Sequence, residues 1–305
     1  MKSESTIGEQ STITNACNFA TDYVISRDGT AVGYYRIGHG PGLVLVQGAM
    51  GTAKNFMQLG EALADTFTVF IPDRRGRGMS PAGGDDYGIQ KEVEDLDALL
   101  TKTAAGYIFG LSAGALISLQ AALKLRAVRK AVFYEPPLFV NGLPIALMKR
   151  YEKEMAEGRL AAAMITAMKA TQMGPQVFNV MPRRLLELLT DKMMESEDRN
   201  AGSGDITMRM LAPTLGHDFH IVAELNGKLE NFRAISADVL LLGGSRSPNF
   251  LKVDLDALEK VLPRAKRVEF SDLGHSAAWN YDKQRNPDGN PERVAEELKR
   301  FFTGS

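Results

Sequence analysis

Two apolar patterns alternate along the chain. Short uninterrupted runs, Leu43-Val44-Leu45-Val46, Phe67-Thr68-Val69-Phe70-Ile71, Tyr107-Ile108-Phe109 and Ala131-Val132-Phe133-Tyr134, predict strands covered on both faces, since a strand with one wet face alternates apolar and polar residues. Between them, residues 55–64, 89–100 and 113–125 repeat apolar side chains at a spacing near 3.6 and predict helices. The alternation resumes late, with Val239-Leu240-Leu241-Leu242, a helix over 255–262, Arg267-Val268-Glu269-Phe270 and a helix over 291–302. Strands separated by helices call for a mostly parallel sheet, an α/β fold. The chain opens differently: Tyr23-Val24-Ile25-Ser26 and Val32-Gly33-Tyr34-Tyr35-Arg36-Ile37 flank Arg27-Asp28-Gly29, which signals an antiparallel hairpin.

Residues 138–236 interrupt the alternation with helical periodicity and no convincing strand. The division that follows is a polar, aperiodic tail over 1–18, one core domain from 19–137 and 237–305, and a helical cap inserted at 138–236. Ten of the fourteen methionines fall in the insertion. Their flexible thioethers suit either a surface that adapts to varied apolar ligands or the filling of gaps between cap helices.

Composition narrows the partners. Thirty-six basic and thirty-seven acidic residues leave a net charge of −1, without the one-signed field that binds a nucleic-acid backbone or an anionic membrane. The single cysteine, Cys17, has no partner for an intramolecular disulfide. The first residues develop no secretory apolar region, and no run approaches a membrane span. A reducing cytoplasm is the expected setting. The sequence leaves a homodimer open.

The chemistry centres on Gly110-Leu111-Ser112-Ala113-Gly114, a G-x-S-x-G match. Alone the pattern is weak in a chain with 29 glycines. Its setting is informative, because Tyr107-Ile108-Phe109 reads as a strand entering it and residues 115–123 as a helix leaving it. Such a turn forces the serine into a strained conformation, and the glycines are needed where any side chain would strike neighbouring backbone. Ser112 Oγ then stands above the sheet at a helix N-terminus, with the Ala113 amide aimed at a developing oxyanion. The structural alternative is a serine that merely caps the helix.

With these residues the chain resembles the α/β-hydrolase family over nearly its whole length outside the tail. Gln47-Gly48-Ala49-Met50-Gly51 stands where the family usually has His-Gly-x, and the resemblance makes the Ala49 amide the second oxyanion donor. Asp73-Arg74-Arg75-Gly76-Arg77-Gly78-Met79-Ser80 resembles the D-x-R-G-x-G-x-S turn. Gly274-His275 resembles the late G-H in which histidine is the general base. Gln47 departs from the pattern at a position that is not catalytic. The implied fold is the α/β-hydrolase fold with an inserted helical cap.

A serine hydroxyl needs a base, and of four histidines His275 is the best placed. His39 lies in a turn, Gly38-His39-Gly40-Pro41. His217 and His220 fall in the cap without further ligands at metal-binding spacing. The family's usual acid follows the strand at 239–242, but that loop reads Gly243-Gly244-Ser245-Arg246-Ser247-Pro248 and holds no carboxylate. Glu135, 23 residues beyond Ser112, ends an earlier strand, a placement similar to that of zearalenone-type lactone hydrolases and some haloalkane dehalogenases. Asp254 and Asp256, read as lying in a long loop beyond Pro248, are the other candidates. The expected catalytic set is therefore Ser112, Glu135 and His275, with Ala49 and Ala113 as oxyanion donors.

The implied reaction is cleavage of a small apolar ester or lactone through an acyl-enzyme, with neither metal nor organic cofactor. Carbon–carbon bond hydrolysis, cofactor-free haloperoxidation and non-enzymatic ligand reception use the same layout and stay open.

Overall fold

The continuous apolar runs become the central strands of one eight-stranded sheet. In the computed structural model, which describes residues 19–84, 86–173, 180–262 and 264–304, the strands are β1 (Ala20–Ile25), β2 (Ala31–Gly38), β3 (Gly42–Val46), β4 (Thr68–Pro72), β5 (Tyr107–Leu111), β6 (Lys130–Tyr134), β7 (Asp238–Gly244) and β8 (Lys266–Phe270). Their spatial order is β1-β2-β4-β3-β5-β6-β7-β8. The first two strands pair antiparallel, as does β2 with β4, and every other neighbouring pair is parallel. The tail over 1–18, with Cys17, lies outside the described residues.

Period-two alternation divides the strand side chains between two apolar layers. Val44, Val46, Ile108, Ala131, Phe133, Val239 and Leu241 face a layer with α2 (Ile89–Thr103), α3 (Ala113–Lys124) and α9 (Asn249–Val261). Leu43, Leu45, Phe109, Leu111, Val132, Tyr134, Leu240 and Leu242 face the opposite layer with α1 (Met57–Leu63) and α10 (Pro291–Thr303). Because all parallel strands point the same way, the loops after β3, β5, β6, β7 and β8 converge on one edge of the sheet.

Between β6 and β7 the described elements are all helices, among them α4 (Ile145–Ala156), α5 (Leu160–Ala170), α6 (Arg183–Asn200), α7 (Met208–Leu211) and α8 (Leu215–Leu225). Met148, Tyr151, Met164, Met194, Leu215 and Phe219 form a third apolar cluster there, against which Ala49 and Met50 pack. Helix α8 also reaches the sheet, since Ile221, Val222 and Leu225 join the α3 layer. The methionines divide between roles: Met148, Met164 and Met194 are buried, whereas Met193 and Met210 are half exposed.

Two features correct or extend the sequence reading. Asp254 and Asp256 do not lie in a loop; α9 begins at Asn249, directly after Pro248 at its N-cap, because Leu251, Leu255 and Leu258 already carry the helical repeat to the core. Asp254 is buried and accepts the amides of Phe139 (2.9 Å) and Val140 (3.0 Å), while exposed Asp256 pairs with Arg267. The second feature is Arg75, buried at the foot of the hairpin. It forks onto Asp95 of α2 at 2.7 and 2.6 Å and onto Asp28 of the hairpin turn at 2.7 and 3.1 Å, clamping the antiparallel end of the sheet.

Removing one partner of a buried pair leaves the other charge uncompensated. Arg75→Met is expected to lower the unfolding free energy in urea by about 3 kcal/mol; a loss below about 1 kcal/mol would contradict the clamp. Asp254 supplies a pH-dependent test. Burial pushes its carboxyl up to about 6, against the pull of the Val140 and Phe139 amides. The folded state therefore holds the proton more tightly than the unfolded chain, a contribution present below about pH 4 and lost as pH rises to about 6. Wild-type stability should fall relative to Asp254→Asn by on the order of 2 kcal/mol between about pH 4 and 7. Parallel stability curves would mean that Asp254 ionises as a solvated carboxylate.

Candidate active site

Strand β5 delivers Ser112 to the convergent edge. The Ser112 amide extends the sheet pairing by donating to Tyr134 O at 2.9 Å, and its backbone then turns to φ 56° and ψ −122° to enter α3. A residue with a side chain in that region stores on the order of 1–3 kcal/mol. The flanking glycines are required sterically. A Cβ on Gly110 would lie 2.4 Å from Gly114 O, and one on Gly114 would lie 2.2 Å from Val46 O. Ser112 occupies the N-cap position of α3, yet among the described residues its hydroxyl makes no capping hydrogen bond. The hydroxyl is therefore not used up by the helix.

The chain after β6 turns sharply at Glu135, whose φ is 48°. Its amide donates to Leu242 O at 3.1 Å, and its fully buried carboxylate bridges two loops. Oε1 accepts the Gly244 amide at 2.7 Å, and Oε2 lies 2.6 Å from His275 Nδ1. Gly243 and Gly244 leave the room for this arrangement. A Cβ on Gly243 would sit 3.1 Å from Glu135 Oε1, and one on Gly244 would strike Leu273 O at 2.2 Å. The Tyr134 hydroxyl holds the histidine loop by donating to Gly274 O at 2.8 Å. The structure thus brings Glu135 to His275, with Asp254 and Asp256 engaged elsewhere.

Ser112 and His275 line one cavity of about 460 Å3, together with Ala49 and Ala113. The remaining wall is mostly apolar, including Phe139, Met164, Met168, Phe219, Phe250 and Trp279. Methionines of the helical segment thus contribute to both packing and the cavity wall. Gly48 brings the loop after β3 against the serine, since a Cβ there would lie 3.0 Å from Ser112 Cβ. The Ala113 amide belongs to the first turn of α3, where a helix offers no internal acceptor. Of the six non-glycine residues with positive φ among those described, Met50, Ser112 and Phe139 line the cavity and Glu135 stands behind His275.

The segment after β4 braces this region. Asp73 accepts the amides of Ala53 (2.7 Å) and Met79 (3.0 Å), and Gly78, at φ +52°, leaves no room beside that carboxylate for a Cβ. Arg74 and Arg77 are buried and share Asp218 of α8 at 2.8 and 2.7 Å; Arg74 also pairs with Glu92 at 2.8 Å. Gln47, at the family's usual histidine position, donates to Pro72 O at 2.9 Å and ties β3 to β4. The other histidines lie apart from this constellation. His39 is exposed, His217 stacks on Tyr87 at 3.9 Å, and His220 pairs with Glu224 at 3.1 Å. No group of three or more potential metal ligands occurs among the described residues, and no described helix is long and apolar enough to cross a membrane.

Sequence reasoning passed over Arg77, Asp218, Gly243 and Gly244. The glycine pair carried a usable signal, because two adjacent glycines at the end of a buried strand mark a close approach of something else. Arg77 and Asp218 are 141 residues apart, and no spacing announces their contact.

The family model for the alpha/beta hydrolase family matches residues 43–297. An alpha/beta hydrolase from Sphaerobacter thermophilus superposes with a TM-score of 0.72 at 29% identity, covering 92% of this chain and all of that one. An uncharacterised hydrolase of Bacillus subtilis, YraK, is 27% identical over 165 residues, 52% of this chain and 60% of that protein. The N-formylmaleamate deformylase of Pseudomonas putida is 30% identical over 119 residues, 37% of this chain and 44% of the enzyme. The chain thus spans only part of the length of these two curated relatives. With the sheet order, the strained serine turn and the match over residues 43–297, the chain belongs to the alpha/beta hydrolase family and has its fold.

Proposed function

We propose that the chain is a serine hydrolase that cleaves a carboxylic ester or lactone through an acyl-enzyme. The observation that carries this reading is the shared cavity of Ser112 and His275, with Glu135 Oε2 hydrogen-bonded at 2.6 Å behind the imidazole. Nδ1–H donates to the carboxylate, which leaves Nε2 as the base. Ser112 Oγ attacks the substrate carbonyl carbon as its proton passes to Nε2. The oxygen of the tetrahedral intermediate gathers negative charge and receives the amides of Ala49 and Ala113. Collapse expels the alkoxide, which takes the proton from Nε2. Water then enters, gives a proton to Nε2 and attacks the acyl carbon, releasing the acid and returning the proton to Ser112.

Glu135 stabilises the imidazolium that forms at both steps, and its full burial strengthens that interaction. The helical segment 138–236 acts as a cap that closes the cavity over the serine. A volume of about 460 Å3 with aromatic and thioether walls suits a bulky apolar substrate. The position of the acid after β6 adds to the case for a lactone of the zearalenone type. The partial likeness to a deformylase makes formamides the second bond class to assay.

Ser112→Ala is expected to reduce kcat/KM by about 10⁴-fold or more while the circular dichroism spectrum stays that of the wild type. Retained esterase turnover would refute the nucleophile. Glu135→Gln should cost about 10³- to 10⁴-fold, since an amide neither fixes the tautomer nor offsets the imidazolium charge, whereas Asp256→Asn should stay within about threefold. Equal losses in the two carboxylate variants would overturn the assignment of the acid. Turnover of zearalenone is expected to exceed that of p-nitrophenyl acetate; hydrolysis of the acetate alone would remove the lactone reading and leave a short-chain esterase.

A further inference from the structure

Arg77 touches the same peptide unit that the proposed mechanism uses. Its Nη1 donates to Gly48 O at 2.7 Å and, at 3.4 Å, to Gly51 O, spanning the turn on which Ala49 sits. Gly48 C=O and Ala49 N–H belong to one planar trans peptide, so they point in opposite directions. A donor fixed on the carbonyl thereby fixes the direction of the amide. The turn gives little help of its own, since Met50 is held at φ 57° and both Gly48 and Gly51 lack side chains.

We infer that Arg77 is a positioning residue for the oxyanion hole, holding and polarising the Gly48–Ala49 peptide so that the Ala49 amide donates into the cavity. This rests on the reading of Ala49 as an oxyanion donor. A charged donor on the carbonyl draws electron density from the peptide and makes its N–H the stronger donor, and the buried setting preserves the effect from screening. The side chain is 1% exposed. Its second nitrogen, Nη2, is held at 2.7 Å by Asp218, a residue of α8 that lines the cavity. Asp218 is in turn anchored by Arg74 at 2.8 Å. Arg77 is thus gripped from the helical segment while it grips the oxyanion turn.

The fork matters chemically. A guanidinium reaches Gly48 O and Asp218 at once with two nitrogens in one plane, and an ammonium on a flexible stem does not reproduce that geometry. Positions 74, 77 and 79 are unspecified in the D-x-R-G-x-G-x-S turn, and this chain places buried arginines at the first two.

The test compares Arg77→Met and Arg77→Lys with wild type, using a p-nitrophenyl ester for kinetics and phenylboronic acid as the tetrahedral anion. Arg77→Met is expected to lose about 10- to 100-fold in kcat with KM within about threefold, and to lose boronate affinity in parallel. Arg77→Lys should recover part of both. The pH midpoint of kcat/KM should not move, because the His275–Glu135 pair is untouched. Full kcat and full boronate affinity in folded Arg77→Met would overturn the inference. Should that variant fail to fold, Arg77→Lys decides: at least about a fivefold loss of boronate affinity at unchanged KM supports it, and unchanged kcat and affinity overturn it. An active Ser112→Ala would instead sink the serine-nucleophile reading on which the oxyanion hole rests, whereas an inactive Ser112→Ala beside a fully active Arg77→Met would sink only the role of Arg77.

Discussion

The hydrogen bond from His275 Nδ1 to the buried Glu135 carboxylate joins segments 140 residues apart and sets the geometry on which the candidate site depends. It requires β5, β6 and β7 to be adjacent and parallel, so that the serine turn, the Glu135 turn and the glycine pair that ends β7 meet at one edge. The register supplies this: Leu111 lies beside Tyr134, and Tyr134 beside Leu242. The next residues of the first two strands are Ser112 and Glu135. Two strands ending level with one another therefore present the hydroxyl and the carboxylate at the same height above the sheet.

The arrangement is held against its own strain. Ser112, Glu135, Met50 and Phe139 all adopt positive φ within or beside the cavity, each at a cost of order 1–3 kcal/mol. Packing on both faces of the sheet offsets that cost, and the charged braces direct it. Asp73 fixes the turn after β4, Arg75 clamps the hairpin, and Arg77 holds the peptide that carries the Ala49 amide. Each brace is buried, so each is costly to break and resists screening. The rigid elements lie beneath the site, and the apolar wall above it comes largely from the helical segment.

The sheet was legible because buried strands must be continuous and apolar, and runs such as Leu43-Val44-Leu45-Val46 have no amphipathic alternative of that length. The serine was legible because steric demands at Gly110 and Gly114 leave a local signature. Glu135 becomes a candidate through the missing carboxylate in the loop 243–248 together with the resemblance to zearalenone-type lactone hydrolases and some haloalkane dehalogenases, which carry the acid after this earlier strand. The beginning of α9 was misread because Pro248 resembles loop chemistry, although a proline also starts helices well. The Arg74–Asp218–Arg77 network was invisible in principle, since long-range ion pairs have no periodicity. Nor does a methionine-rich composition say which thioethers face a core and which a cavity.

The central claim is that Ser112 carries the acyl group during turnover. Rapid quenching of the reaction with a p-nitrophenyl ester, followed by mass spectrometry of the intact and digested protein, tests it directly. One acyl adduct per chain is expected, located on the peptide containing Ser112 and accumulating further in Glu135→Gln, where deacylation is slowed. Turnover with no adduct on that peptide, or an adduct on a different nucleophile, would contradict it.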